Sequence, residues 1–291
     1  MRGRLRLGVN PPKKYAIVCL GSMANGLLVF YDKIVTFQTA PLRKAGPSKC
    51  KIMLIHTILL SLLLAPGRDG VTKNDTTFPV YRVKRLEGAI TIDGNWNKKT
   101  WKKIKPVRIT HDIINIPAFH PETEVKMCYV TGSLYIIFLV HDRFVRSVTT
   151  QLGGPVWKDA AVEFFFCTDT SRPDQYFNLE VNCGGTPLLG RNSVRPDTAD
   201  IRLIRIAHSM PQVVDPEIAG PIDWTVEYQI PLAMLAKYAG ITTPAKGVSW
   251  KANFCKIAEN NSNPHHMTWS PISAPHPNFH MPEYFGHIQF D

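Results

Sequence analysis

Beyond residue 85, hydrophobic residues fall into short runs separated by Gly, Pro, Asn and Asp. The runs are rich in β-branched and aromatic residues, which is typical of strands. Segments of this length, spaced by turns, predict an all-β sandwich or barrel. The predicted strands are Ala89–Ile92, Glu124–Val130, Leu134–Asp142, Ala161–Thr168, Tyr176–Asn182, Asp200–His208, Trp224–Ile230, Ser249–Ile257 and His287–Phe290.

One strand shows a clear division between its two faces. Strand geometry places Val162, Phe164 and Phe166 on one face. Glu163, Phe165 and Cys167 then share the other face. A turn at 170–174 predicts a hairpin with the following strand. Only two short helices are indicated, namely Asn97–Ile104 and Pro231–Ala239.

Charge separates residues 1–75 from the rest of the chain. Of the net charge of +11, residues 1–75 hold 12 Lys and Arg against 3 Asp and Glu, whereas residues 76–291 hold 22 against 20. A nucleic-acid-binding domain carries positive charge on its folded surface, because phosphate neutralisation supplies much of the affinity. The nearly neutral balance of residues 76–291 therefore argues against a nucleic-acid partner.

Residues 1–75 are predicted to be a hydrophobic leader and linker. The strongly apolar stretch Ile52–Ala65 follows Lys49 and Lys51 and ends in a small residue, which is typical of a secretory signal. It is shorter than the roughly 20 apolar residues that span a bilayer. We expect an exported protein (secreted, periplasmic or in the cell envelope) whose mature domain is residues 76–291. The alternatives are an uncleaved leader that anchors the chain in a membrane, and a true start at Met53.

Four cysteines lie in residues 76–291, and none has CxxC spacing. Export would permit disulfides, but buried free thiols fit the pattern equally well. The spacing does not indicate a zinc site.

The order of the predicted elements resembles the family 9 carbohydrate-binding modules, which are β-sandwiches of the DOMON-like group. The resemblance covers nearly all of residues 86–291 and implies a non-catalytic module that binds an oligo- or polysaccharide in support of polysaccharide breakdown. Residues 76–291, which contain every predicted strand, are expected to fold alone as a monomer. The segments that carry the resemblance are AITIDGNWNKKTW (89–101), LYIIFLVHD (134–142), VWKDAAVEFFFCTD (156–169), YFNLEVNCGG (176–185), DWTVEYQIPLAML (223–235), VSWKANFCKI (248–257) and MTWSPISAPHPNFHMPEYFGHIQF (267–290).

Tryptophans are the first candidates for sugar contact, because the C–H faces of a sugar ring pack against flat aromatic rings. Four of the six lie beside apolar segments and are expected in the core: Trp96, Trp101, Trp224 and Trp250. Trp157 and Trp269 lie in predicted loops, which more often face ligand or solvent. The family clamps a terminal sugar between two tryptophans, and the resemblance implies that Trp157 and Trp269 are this pair. The alternative is that both only close the ends of the sandwich.

The same resemblance implies the polar partners of the sugar. The Glu163 carboxylate could accept hydrogen bonds from two hydroxyl groups, and Arg191 could supply a pair of donors. Asn182 and His266 are further candidates. For each of these side chains, a solvated surface role is the alternative.

A metal site is not expected from the residues. The family often holds structural Ca²⁺, and Asp93, Asp142 and Asp159 lie in suitable loops, but none forms a recognisable calcium loop. His276 and His280 have a spacing that suits zinc, yet the surrounding prolines keep them off a common helix face. We expect no cofactor, with structural Ca²⁺ as the alternative.

Two other functions stay open. A glycoside hydrolase, or an accessory subunit of one, would need two carboxylates across the scissile bond, whereas Asp159 and Glu163 are expected on one strand face. A haem-binding relative would need a Met–His pair around an apolar pocket. Met127 is one candidate ligand, but His208 and Met210 are too close in sequence to bind opposite haem faces.

Overall fold

The computed structural model describes residues 78–192 and 195–291, which form thirteen strands and three short α-helices. The predicted leader, residues 1–75, lies outside the described residues. The strands are β1 (Val80–Arg85), β2 (Val107–Ile109), β3 (His111–Asp112), β4 (Glu122–Val130), β5 (Ser133–Ser147), β6 (Ala161–Cys167), β7 (Phe177–Asn182), β8 (Pro187–Arg191), β9 (Arg205–His208), β10 (Val214–Pro231), β11 (Ser249–Ala258), β12 (His265–Thr268) and β13 (Gly286–Phe290). The helices are α1 (Lys99–Lys102), α2 (Thr198–Ile201) and α3 (Leu232–Leu235), and two 3₁₀ turns span Val156–Lys158 and Pro282–Tyr284.

The strands form two sheets that β1 connects. The first sheet has the order β8-β7-β6-β11-β13, with β12 paired to β11 and β3 paired to β12. The second sheet has the order β4-β5-β10-β9, with β2 on the other side of β4. Residues 80–83 of β1 pair with β13, and residues 84–85 pair with β4. The pairings of β1 are parallel, whereas the other strand pairs are antiparallel.

The inner faces of the two sheets pack on each other as a β-sandwich. Phe138 of the second sheet meets Phe254 of the first edge-to-face, with ring centroids 6.1 Å apart. Phe164 stacks on Phe254 at 5.1 Å. All three side chains are fully buried, and burial of each contributes about 2 kcal/mol to folding. The predicted sandwich is therefore confirmed.

Most of the predicted strands form, and so does the predicted hairpin. β6 and β7 lie on either side of the 170–174 turn and pair with each other. The predicted strand at 89–92 is wrong, because that segment has no ladder partner and Ile90 instead packs beside Trp101. The run 200–208 is a strand only at its end. Its start belongs to α2, where the Asp197 side chain accepts a hydrogen bond from the Ala199 N–H at 2.7 Å.

Strands β1, β2, β3, β8 and β12 are absent from the sequence-based prediction. They are short or polar, and β8 contains both Pro187 and Gly190, which lower strand propensity. Both predicted helices are present but shorter, because α1 and α3 each have four residues. None of the helices in the described ranges has the length and apolar character needed to cross a membrane.

The four cysteines of the described residues are free and buried. Of the tryptophans expected in the core, Trp101, Trp224 and Trp250 are fully buried, and Trp96 is half-buried. The Lys126 ammonium lies 3.8 Å from the centroid of the Trp96 ring.

A lysine lies inside the sandwich. Lys256 is on the inner face of β11 with no exposed surface, and its ammonium is 3.6 Å from the Asp142 carboxylate. The ammonium also donates to the Ile257 carbonyl at 3.1 Å and is 2.9 Å from Nε2 of His265. Burial lowers the pKa of Lys256, and the Asp142 charge opposes that shift. Burial and the nearby Lys256 charge lower the pKa of His265 well below its usual range.

Candidate functional site

The outer face of the first sheet carries a cavity of about 430 Å³. Its floor comes from four neighbouring strands, β8, β7, β6 and β11. Glu163 of β6 lies directly opposite Glu180 of β7 and, on its other side, opposite Cys255 of β11. Paired residues of antiparallel strands share a face, so the alternation of β6 points Glu163 away from the core and into the cavity.

Trp157 lines one side of this cavity. It belongs to the 3₁₀ turn that follows Gly153, whose φ of +73° favours glycine. The next residue but one, Asp159, anchors this turn, because its carboxylate accepts the Val148 N–H at 3.1 Å and the Thr149 N–H at 2.9 Å. The Trp157 side chain is only half-buried, so an aromatic surface faces the opening.

The segment 277–280 lines another part of the cavity. Phe279 and His280 both pack edge-to-face on Phe165, with ring centroids at 6.1 and 5.1 Å. The Tyr176 hydroxyl forms a 3.0 Å hydrogen bond with Nδ1 of His280. These contacts hold the segment on the odd-numbered face of β6, where Phe165 neighbours Glu163.

The carboxylates on the cavity floor hold protons unusually tightly. Burial raises the pKa of Glu163 well above its usual range, and the charges of Glu180 and Glu259 add to that shift. Burial also raises the pKa of Glu180 to about 7, although the Arg195 charge and a hydrogen bond from Asn178 oppose the increase. The Glu163–Glu180 pair therefore retains a proton near neutral pH.

The hydrogen bonds around Glu180 leave one oxygen free. Its Oε1 accepts a 2.7 Å hydrogen bond from the side-chain amide of Asn178. Its Oε2 is buried and has no hydrogen-bond partner among the described residues. Gly190 of β8 leaves space for this arrangement, because a Cβ atom there would lie 2.3 Å from Oδ1 of Asn178.

The structure brings together three of the six predicted site residues. Trp157, Glu163 and His266 all line the cavity. Nε2 of His266 is 3.5 Å from the Glu259 carboxylate, and its ring centroid is 5.8 Å from that of Phe279.

Trp269 does not lie in the cavity, and the expected pairing with Trp157 is wrong. Residues 265–268 form β12 rather than a loop, and this strand pairs with β11. Strand alternation then directs His266 outward and Trp269 inward. Trp269 is 7% exposed and packs against Phe254 in the sandwich core, with ring centroids 5.6 Å apart.

Arg191 and Asn182 also lie outside the cavity. Arg191 pairs in register with the core residue Phe177, and its guanidinium donates to Gln175 at 2.9 Å. The Asn182 amide is fully buried and donates to the Thr149 carbonyl and to Asp159, each at 2.9 Å. The guanidinium that lines the cavity belongs to Arg195 instead.

Several cavity residues were missed by the sequence reasoning. They are Glu180, Asn178, Glu259, Arg195 and Phe279. The predicted hairpin would have identified Glu180, because its register sets the polar positions 178 and 180 of β7 on the same face as Glu163. Arg195 and Phe279 lie in connections between strands, so no periodic pattern points to them.

The carboxylates considered for Ca²⁺ accept hydrogen bonds from protein donors. Asp142 accepts hydrogen bonds from the backbone N–H of Arg143 and the indole N–H of Trp224. Asp93 accepts a hydrogen bond from the ammonium of Lys98 at 2.9 Å. Within residues 78–192 and 195–291, no three His, Cys, Asp or Glu side chains come together as a metal site. Protein donors thus bind both carboxylate oxygens of Asp142 but only Oδ1 of Asp93.

The model of carbohydrate-binding family 9 matches residues 95–290 of the chain. The chain belongs to carbohydrate-binding family 9. Among solved structures, a Bacteroides uniformis ATCC 8492 protein for which carbohydrate binding is suggested is 26% identical, with a TM-score of 0.64. The match covers 74% of this chain and all (100%) of that one.

A second structural relative of this family 9 chain is a family 9 module from Caldicellulosiruptor kristjanssonii in complex with cellotriose. It is 15% identical with a TM-score of 0.51, and the match covers 73% of this chain and 94% of the module. The same source gives a complex with glucose, at 16% identity and a TM-score of 0.52, covering 72% of this chain and 95% of that one. These two show a common fold. Among curated proteins, none matches the chain significantly.

Proposed function

We propose that this protein binds carbohydrate, without catalysis, in the cavity on the outer face of the first sheet. The observation that carries the proposal is the position of Trp157 beside Glu163 in one cavity of about 430 Å³. An aromatic surface matches the C–H face of a sugar ring, and a carboxylate accepts hydrogen bonds from its hydroxyls. Family membership supports the same function, because solved family 9 modules hold cellotriose and glucose.

The geometry of the carboxylates favours binding over hydrolysis. A glycosidase places its two carboxyl groups on either side of the scissile bond. Glu163 and Glu180 are instead side by side on the floor of the cavity, so a sugar lying on that floor would have both on the same side. Asp159, the other carboxylate considered, is 2% exposed and bonded to Asn182 and to backbone N–H groups.

The proposal is tested by screening the full chain on a glycan array and measuring affinities for the positive glycans by calorimetry. Trp157→Ala should then lower the affinity about 30-fold or more, which is the effect of removing an aromatic hot spot. The matched control is Trp96→Ala. Trp96 is also a half-buried tryptophan, but it contacts Lys126 and does not line the cavity.

The two variants separate a binding site from a general effect of tryptophan loss. Unchanged affinity in Trp96→Ala and a large loss in Trp157→Ala would support the site. Equal affinities of Trp157→Ala and the unaltered protein would refute it. Failure of every glycan on the array to bind would refute carbohydrate binding altogether.

We further propose that the protein is exported and acts outside the cytoplasm in support of polysaccharide breakdown, as a monomer. Support for export comes from the apolar stretch Ile52–Ala65 after Lys49 and Lys51. N-terminal sequencing of protein from its native host should find a mature chain that begins between Ala65 and Thr76. Recovery of the chain from the cytosol with its leader intact would contradict export.

A further inference from the structure

We infer that the cavity selects a sugar that carries a protonated amino group, held between the carboxylates of Glu163 and Glu180. The inference rests on the proposed function and names the class of sugar that the same cavity takes. The pairing of β6 with β7 sets the two glutamates directly opposite each other. Side chains in such pairs are about 5 Å apart at Cβ, and like charges at that separation repel.

The two buried carboxylates have few protein partners: Glu180 accepts one hydrogen bond, from Asn178, and no ion pair within 4 Å involves either of them among the described residues. Glu163 is 2% exposed, and the charges of Glu180 and Glu259 act on it with the same sign as its own. Glu180 is 6% exposed, and its Oε2 has no hydrogen-bond partner among the described residues. Both side chains nevertheless line the cavity. A positive group is therefore needed between them, either a proton or a cation that the ligand brings.

An ammonium group fits this position better than a hydroxyl or a metal ion. An ammonium offers three N–H donors and a full positive charge, whereas a hydroxyl offers one donor and no charge. The described residues contain no set of three side chains suited to a metal ion. The only guanidinium lining the cavity in the described part of the chain is that of Arg195, and it donates to the Gly153 carbonyl.

The remaining titratable groups around the pair are Glu259, His266, His280 and the thiol of Cys255, which lies opposite Glu163 on β11. Three carboxylates thus face one guanidinium and two imidazoles. Because Trp157 supplies an apolar surface in the same cavity, the ammonium should be attached to a sugar ring that lies against this side chain.

The test compares D-glucosamine and its β-1,4-linked oligomers with glucose, cello-oligosaccharides and N-acetylglucosamine. Calorimetry with the full chain at pH 6.5, where the amine is protonated, should give at least tenfold tighter binding of the amino sugars. Binding in two buffers of different ionisation enthalpy should show proton release with glucosamine and none with glucose, since the ammonium replaces the proton of the Glu163–Glu180 pair. Ethanolamine, an amine without a ring, should bind at least tenfold more weakly than glucosamine.

Two variants assign the preference to the pair. Glu163→Gln should reduce the ratio of glucosamine to glucose affinity to less than about threefold, and Glu180→Gln should do the same if Glu163→Gln fails to fold. Glu87→Gln is the control for loss of one negative charge, because Glu87 is exposed and outside the cavity. It should leave the ratio unchanged.

The outcomes separate this inference from the proposed function. If glucose and cello-oligosaccharides bind at least as tightly as the amino sugars, the inference is wrong and the proposed function stands. A preference that persists in both glutamine variants also overturns the inference. If neither kind of sugar binds but another glycan on the array does, the inference is wrong and the proposed function stands; if no glycan on the array binds, the proposed function itself fails.

Discussion

Glu163 and Glu180 lie side by side on neighbouring strands, both buried and both facing the same cavity. A cross-strand pair of this kind usually joins opposite charges or apolar groups, because like charges directly opposite each other destabilise a sheet. This sheet therefore retains an unfavourable pair at the position where a ligand would reach it. Such local conflicts between stability and arrangement are expected at binding sites.

This pair should make stability fall as the pH rises. Burial and like charge raise the pKa of Glu163 from an ordinary value of 4.5, and the pKa of Glu180 rises to about 7. Folding therefore favours the protonated forms, and the resulting stability is full below pH 4.5 and is lost as the pH rises through the folded-state pKa values. Glu163→Gln should therefore raise the free energy of unfolding, relative to the unaltered protein, more at pH 8 than at pH 5.

Urea unfolding of the unaltered protein and Glu163→Gln at the two pH values measures this effect. Glu87→Gln serves again as the exposed control and should show little change in its pH dependence. An equal effect of Glu163→Gln at pH 5 and pH 8 would mean that the pair does not share a proton in the folded protein.

Trp269→Ala should lower the stability of the fold, because Trp269 is a core residue and does not line the cavity. Because Trp269 packs on Phe254 inside the sandwich, its removal should leave a core cavity and cost about 3–5 kcal/mol of unfolding free energy. Trp157→Ala should change the free energy of unfolding by less than about 1 kcal/mol, since its half-buried side chain contributes less to packing. Chemical denaturation of both variants makes the comparison, and a larger loss in Trp157→Ala would reverse the assignment.

Lys256→Met should destabilise the sandwich, because it leaves the buried Asp142 carboxylate without its cation. Breaking a buried pair from one side costs about 3–5 kcal/mol. The double variant Lys256→Met/Asp142→Asn removes both charges and should recover at least half of that loss. Denaturant unfolding of the single and double variants tests this, and a double variant as unstable as Lys256→Met would show that the charge pair is not the cause.

Gly190→Ala should weaken binding through Asn178. The added Cβ would lie 2.3 Å from Oδ1 of Asn178, so the amide must move away from the Glu180 carboxylate to which it donates. Because Asn178 lines the cavity, displacement of its amide should also cost one hydrogen bond to a bound sugar, which predicts a roughly tenfold lower affinity. Gly220→Ala is the matched control, because nothing lies within 4 Å of its added Cβ. Equal sugar affinity in the two variants, by calorimetry, would exclude this role of Asn178.

The pattern of hydrophobic residues was sufficient to predict the sandwich and the two faces of β6. Alternation at 162–167 separates the core from the cavity because strand side chains have a period of two. Of the six sugar-binding residues that the resemblance to family 9 modules implied, Trp157, Glu163 and His266 line the cavity. These residues lie on or next to strands or in a turn between two predicted strands, so local sequence constrains where they point.

Tertiary structure decided which residues form the cavity floor and whether Trp269 lies beside Trp157. Trp269 follows a polar segment, His265–Thr268, that looks like a loop until its pairing with β11 makes it a strand and directs the tryptophan inward. Glu180 reaches Glu163 only through the β6–β7 register, and Lys256 is buried because Asp142 comes from the opposite sheet. These contacts join residues distant in sequence, and local propensity carries no information about which distant strand will be the neighbour.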